Sequence, residues 1–363
     1  MKSDYPIRIL CVFSTLDRGG AESMCMNLYR RMDHQKIQFD FVKHTSTKGS
    51  FEDEIYTLGG RIYEAPRFKG HNYISYRKWW VQHLRNHPEH QIIHGHFFSI
   101  SAVYFQIAKQ MGRTTVGHIH ASASDSALKE FLEQQISRYT DYPFACSIEA
   151  GKWIYGDRPF TVLKNALDTE LFRYSPERRL RMRLKLGLHD ELILGTVANL
   201  SSVKNPMGLI DIFLAVKKQK SDCKLLWIGE GACRTSIEKR ITNEQIEDDV
   251  MIMGTRDDVP DLLQAMDVFL LPSFNEGLPI SAIEAQAAGL PCFISDRITR
   301  EVDIIGLCKF ISIDEPDKWA REILSIDNHR SDTSKDVCKS GYDIDSTTRF
   351  IQEFYMSIAN LDT

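Results

Sequence analysis

Short apolar runs rich in β-branched residues alternate with amphipathic stretches along most of the chain. "IRILCVF" reads as a strand, and "AESMCMNLYRRM" after it places Ala21, Met24, Leu28 and Met32 on one helical face. "IQFDFVKH", "IIHGHF", "TTVGHIH" and "PFACSI" continue the strand series, each with a helical stretch behind it. The rhythm pauses from Lys164 to Glu191, which has no strand period and carries five basic residues between Arg178 and Lys185. It resumes with "LILGTVANL", "CKLLWIGEG", "VMIMG", "DVFLLPS" and "PCFISD". Repeated strand–helix units predict an α/β fold with parallel sheets covered on both faces. The pause predicts two doubly wound domains joined near residues 164–190. The last stretch, "STTRFIQEFYMSIAN", predicts a helix with Phe350, Phe354 and Ile358 on one face.

Composition narrows the class without naming a function. At 363 residues, 43% hydrophobic and 26% charged, the chain has the makeup of a soluble globular protein with ample core. A net charge of -4 provides no global basic field for nucleic acid. The eight cysteines form no CxxC pair and several lie in strand-like runs, so reduced thiols in a cytoplasmic protein are expected. The N-terminal apolar run is short and interrupted by Arg8, unlike a signal peptide. No segment reaches the roughly 18 apolar residues that span a bilayer.

In open α/β sheets ligands gather at the carboxyl ends of strands, so residues just after strands carry the chemistry. "PSFNEGLPISAIEAQAAGLP" is the richest such place. Pro279 suits a first helical turn, and Gly289 with Pro291 suits its end. Glu276 then lies in the loop before the helix, and Glu284 lies in its second turn at the border of the buried stripe. Ligand hydroxyls would satisfy both carboxylates, and the helix N-terminus between them suits a phosphate. The plain alternative is a solvated Glu276 and a Glu284 paired with a basic side chain.

Lys204 sits just before the helix start offered by Asn205 and Pro206, where an ammonium could neutralise a leaving diphosphate; a solvated lysine is the alternative. Gly19-Gly20 between strand and helix allows close backbone approach to a ligand, or is simply a tight turn. It is not GxGxxG, which weakens a nicotinamide reading. His94 with His96, and His118 with His120, form two HxH pairs at strand ends. No carboxylate or thiolate follows at ligand spacing, so no metal is expected. Structural roles are expected for His94 and His96, and a hydrogen-bonding role for His120. "YISYRKWWVQHLR" and "RRLRMRLK" could touch an anionic membrane, although Tyr73, Tyr76, Trp80 and Leu84 also fit a core-facing stripe.

Together these pieces resemble the retaining glycosyltransferases of family 4, the group 1 glycosyl transferases. The match is carried by Glu276-GLPISAI-Glu284 within "DVFLLPSFNEGLPISAIEAQAAGLP", with "VLKNALDTELF", "ACSIEAGKWIYG" and "GTRDDVPDLLQAMD" in support. It spans nearly the whole chain and points to the branch building bacterial exopolysaccharide and capsule. The resemblance implies a GT-B fold of two Rossmann-like domains facing across a cleft: 1–165 on the acceptor side, a linker at 166–190, and a donor domain at 191–345. A C-terminal helix, 346–363, would return to the first domain. It further implies a nucleoside-diphosphate sugar donor and a saccharide or lipid-linked acceptor, with no cofactor and peripheral membrane contact at most.

In that reading Glu284 binds ribose hydroxyls, Glu276 contacts the donor sugar, and Lys204 holds the diphosphate. Gly277, Leu278 and Ile280 line the donor, Gly254 and Thr255 meet the base, Gly20 faces phosphate or acceptor, and His120 points at the transferred sugar. One departure stands out. The family carries Arg five residues before the lysine, where this chain has Asn199. Arg18 and Arg297 are candidates, by position, to supply the missing charge. The rival readings are a GT-B sugar-nucleotide epimerase or hydrolase, and a nucleotide-sugar binding protein without catalysis.

Overall fold

The computed structural model describes residues 5–96, 100–120, 135–326 and 329–359. The chain divides into two compact units, one of Met1–Leu167 with Asp343–Thr363, the other of Asp168–Tyr342.

The first unit holds seven strands: β1 (Ile7–Val12), β2 (Ile37–Lys43), β3 (Ile62–Glu64), β4 (Ile92–Gly95), β5 (Thr114–Ile119), β6 (Tyr142–Ala145) and β7 (Thr161–Val162). They run parallel in the order β3-β2-β1-β4-β5-β6-β7. β2 is buried along its whole length and brings Asp40 into the core. That carboxylate is satisfied by Arg8 (2.6 and 2.5 Å), His90 (2.8 Å) and the Arg61 amide (2.8 Å), which holds it well below the usual carboxylate range.

The first helix, Gly20–Arg31, buries Met24, Cys25, Met26, Leu28 and Tyr29 against this sheet. Beside it packs the last helix, Ile344–Ala359, which belongs to the first unit. Its buried face differs from the predicted one. Ile351, Tyr355 and Ile358 point inward while Phe350 is 45% exposed. The helix packs one residue out of the expected phase, which lets Tyr355 reach His94. In the helix Tyr73–Asn86 the inner face is Tyr76, Trp80, His83 and Leu84, and Tyr73 is exposed.

The second unit holds β8 (Leu192–Val197), β9 (Cys223–Ile228), β10 (Val250–Ile252), β11 (Val268–Leu271), β12 (Cys292–Ser295) and β13 (Cys308–Ile311). These are parallel, in the order β10-β9-β8-β11-β12-β13. Sequence order reverses between β8 and β11, the kind of switch point at whose strand ends ligands of open α/β sheets bind.

Residues 166–190, expected as a linker, instead supply helices Thr169–Phe172 and Pro176–Lys185 of the second unit. The basic run is turned to internal use. Arg178 binds Asp261 (2.7 Å), Arg179 binds Asp267 (2.6 Å), and Arg183 lies 3.3 Å from the same aspartate. A membrane-facing role for this helix therefore loses three of its cations. Among the described residues no helix is long and apolar enough to cross a membrane, and all eight cysteines are free.

Candidate active site

The loops after β8 and β11 are built against each other. Behind β8 the chain makes a short 3-10 turn, Ser202–Lys204, and then Asn205 adopts a left-handed conformation (φ 52°). Asparagine tolerates this conformation better than most residues. Its Oδ1 accepts from the Gly208 amide (3.1 Å) and caps the helix Pro206–Gln219, with Pro206 in the first turn as expected. Its Nδ2 donates to the Pro272 carbonyl behind β11 (3.1 Å), and the Phe274 amide donates to the Val203 carbonyl (2.8 Å).

This double stitch brings Lys204 to Glu276. The Lys204 ammonium donates to Glu276 Oε1 at 2.5 Å, and Ser273 Oγ donates to the same oxygen at 2.7 Å. Among the described residues nothing bonds to Oε2. Both side chains are partly exposed, 21% and 11%, so the pair remains open to a ligand. The residue after Glu276, Gly277, is half-buried, and Leu278 is buried.

The helix that follows is Ile280–Ala287, one residue shorter at each end than predicted. Pro279 takes the N-cap position instead of the first turn, and no side chain caps the helix. Its first amides are thus left for solvent or an anion. Gly289 ends the helix in the left-handed region (φ 70°), where a Cβ would fall 2.2 Å from the Ser331 carbonyl oxygen. Glu284, within the helix, is half-buried, and among the described residues no side chain bonds or pairs with it. Burial alone pushes its carboxyl up to about 8. The two glutamates thus reverse the plain expectation: Glu276 has the cationic partner, and Glu284 has none.

Two more loops approach from β9 and β10. Gly229 after β9 is so close to the β8 loop that a Cβ would lie 2.0 Å from the Ala198 carbonyl oxygen. The Leu200 amide donates to the Glu230 carbonyl (2.9 Å), and the Gly229 amide to the Gly254 carbonyl (2.9 Å). Gly254 (φ 68°) lets the chain turn there, and Thr255 beyond it is exposed. Gly229, Glu230 and Gly231 were not singled out from sequence, although glycines flanking one residue directly after "KLLWI" are a signal that could have found them.

Asn199 is exposed, and its Oδ1 accepts from Ser201 Oγ (2.8 Å). Arg297, after β12, has its guanidinium carbon 5.7 Å from the centre of the exposed Phe274 ring, within the loop that ends in Glu276. Arg18 belongs to the first unit and lies over Phe51.

In the first unit Gly20 is exposed and opens the first helix, and among the described residues no atom stands within 4 Å of where its Cβ would be. Glu22 in the same turn, also missed from sequence, is half-buried and pushed up to about 7 by burial. His120 follows β5 and pairs with His96 (Nε2 to Nδ1, 2.9 Å), so His96 belongs to a network that includes His120.

Comparison with known proteins agrees with this layout. Residues 18–171 match the model of Glycosyltransferase Family 4, and residues 179–340 match that of Glycosyl transferases group 1. EpsF of Bacillus subtilis, named as a glycosyltransferase, is 31% identical over 333 residues, covering 87% of this chain and 86% of its own. The capsular polysaccharide biosynthesis glycosyltransferase CapH of Staphylococcus aureus is 21% identical, over 97% and 99% of the two chains. Among solved structures, HepE of Anabaena in complex with UDP-glucose superposes with a TM-score of 0.81 at 18% identity, covering 96% and 99%. The fold is GT-B, and the chain belongs to the glycosyltransferases of this family 4 and group 1 type.

Proposed function

We propose that this glycosyltransferase takes a sugar from a nucleoside-diphosphate sugar and passes it, with retention at the anomeric carbon, to a saccharide or lipid-linked saccharide during surface polysaccharide assembly. The observation that carries the donor assignment is Glu284, half-buried and without a partner among the described residues, one helix turn past uncapped amides in the helix that follows the loop of the Lys204–Glu276 pair. Ribose hydroxyls donating to Glu284 would supply the partners its carboxylate lacks. Lys204 and the amides after Pro279 would stabilise the diphosphate as it leaves. Glu276, with one oxygen unoccupied, would accept from a hydroxyl of the transferred sugar. Gly277, Leu278 and Ile280 would line the donor, and Gly254 and Thr255 would meet the base.

Retention is consistent with attack on the face the diphosphate leaves, the leaving phosphate taking the acceptor's proton. The protein then contributes orientation and leaving-group stabilisation. The polysaccharide setting rests on likeness to EpsF and CapH. His120 and Gly20 keep the sugar and phosphate roles implied by resemblance, tested by His120→Ala and Gly20→Val.

The test is calorimetric binding of UDP, GDP, ADP and CDP to the wild type and to Glu284→Ala, followed by nucleotide release from the matching sugar donor. Binding of one nucleotide, lost in the variant, with release dependent on acceptor, is the expected result. Release without acceptor would favour a hydrolase or epimerase. Binding without release would mean a binding protein, a reading that the missing arginine at Asn199 favours.

A further inference from the structure

The sheet of the first unit ends in a stack of three imidazoles behind His120. His94 on β4 and His96 just beyond it face the same way, their rings 4.2 Å apart. Gly95 between them faces the other way, where a Cβ would strike the Tyr104 hydroxyl and the Phe105 ring. His118, on neighbouring β5, lies 5.5 Å from the His94 ring and 5.3 Å from that of His96. All three are buried, with exposures of 2%, 7% and 1%.

Packing explains the stack but not its hydrogen bonding. His94 Nδ1 meets the Tyr355 hydroxyl, and among the described residues its buried Nε2 has no partner. His96 Nδ1 meets His120 Nε2, and among the described residues its buried Nε2 likewise has none. At His118 the Leu163 main chain lies alongside, yet among the described residues neither ring nitrogen closes a hydrogen bond of normal geometry. Each such orphan costs on the order of 1–3 kcal/mol, a cost that phenylalanine would avoid. One nitrogen from each ring comes within 4.8 Å of the other two. Imidazoles that ligate metals do so through one nitrogen while an outer partner holds the other. His94 and His96 have that arrangement, with Tyr355 and His120 as the outer partners.

We propose that His94 Nε2, His96 Nε2 and one nitrogen of His118 form a binding site for a borderline transition-metal ion of the zinc class. Zinc holds imidazole nitrogens at about 2.1 Å, so a tetrahedral set spans roughly 3.4 Å between ligand atoms. The ligand atoms now lie within 4.8 Å of one another, and the stacked rings must rotate about their side-chain bonds for their in-plane lone pairs to converge on one ion. Cys11 and Cys25 form a second triad with His96. His96 has a single free nitrogen and serves one set only. The three-imidazole set is the one proposed, because two of its members, His94 and His96, already have outer partners on their other nitrogens. Through His96 the ion would also fix the tautomer of His120; that last step rests on the proposed role of His120, whereas the metal test does not.

The experiment is Zn2+ titration of the metal-stripped full chain by calorimetry in buffers of different ionisation enthalpy, with Co2+ as a spectroscopic probe. One ion per chain is expected, with almost no proton release and no thiolate-to-cobalt charge-transfer band. His96→Gln and His118→Gln should each weaken binding more than 100-fold, and Tyr355→Phe by about 10–100-fold. If the histidine variants do not fold, X-ray absorption of the zinc-loaded wild type reads the ligands directly, and an imidazole-only shell supports the site. Absence of stoichiometric uptake, uptake unchanged in His118→Gln, or sulfur in the shell with release of about two protons would each overturn it.

Discussion

Lys204 Nζ lies 2.5 Å from Glu276 Oε1, across two loops that leave neighbouring strands of one sheet. Each charge is the other's partner until a ligand arrives. An incoming diphosphate must therefore compete with Glu276 for the ammonium. Lys204→Ala should weaken nucleoside-diphosphate binding about 10–100-fold, the worth of a charged hydrogen bond. Glu276→Gln should leave that binding intact or tighter, because the ammonium is released, while donor turnover falls about 100-fold. Calorimetry and a nucleotide-release assay on the two variants separate these effects. Equal loss of binding in both would sink the assignment.

Glu284 should couple stability and binding to pH. Its carboxyl is raised to about 8 from 4.5. Below about pH 4.5 it is protonated in both folded and unfolded chains. Between 4.5 and 8 the folded chain keeps a proton that the unfolded chain has lost, so stability falls as pH rises through this window. Glu284→Gln should remove that decline, with melting temperatures that match the wild type near pH 4.5 and exceed it at pH 8. Nucleotide binding near pH 7 should release a proton from the wild type, because two donating ribose hydroxyls favour the carboxylate over the acid, and calorimetry in two buffers would detect it.

Asn205 combines a left-handed backbone, a helix cap and the stitch to Pro272. Asn205→Ala should destabilise the fold by about 2 kcal/mol, from cap loss plus the left-handed penalty. Asn205→Gly should recover the backbone part alone. Denaturant unfolding measures both. Turnover should fall in both variants, since the stitch positions Lys204.

Arg297 lies over Phe274 and 3.4 Å from Asp314, and is the candidate for the charge of the family arginine absent at Asn199. Arg297→Ala should weaken diphosphate binding about 10-fold, and Asn199→Arg should restore it in that background. Binding unchanged in Arg297→Ala would leave the missing charge uncompensated.

Ten of the thirteen strands among the described residues are legible as apolar runs, and the three that are not, β3, β7 and β13, all stand at sheet edges. Edge strands are short and half-exposed, so "IYE", "TV" and "CKFI" lack the continuous apolar run of a buried parallel strand. The helix Ile280–Ala287 was readable because its signals are local: a proline before it and a glycine after. Contacts such as Arg297 with Phe274, or Lys204 with Glu276 at a separation of 72 residues, depend on sheet order, which no local pattern encodes. The last helix shows the same limit. Its period was clear, but Phe350 and Phe354 outweighed Ile351 and Tyr355 on hydrophobicity alone, and the hydroxyl that turns Tyr355 inward is bonded to a histidine far back in the chain.

The return of Ile344–Ala359 to the first unit has a consequence for how the protein is made. The second unit is one continuous stretch and can fold as soon as it leaves the ribosome. The first unit is completed only by residues synthesised after the whole of the second. Until that helix emerges, Phe39 and Phe144, whose rings pack on Tyr355 and Phe354, line a sheet face that lacks its cover. A nascent chain stalled after Tyr342 would display that face to chaperones beside a finished neighbour, and pulse proteolysis of such stalled chains would find the earlier-made half the more easily cut.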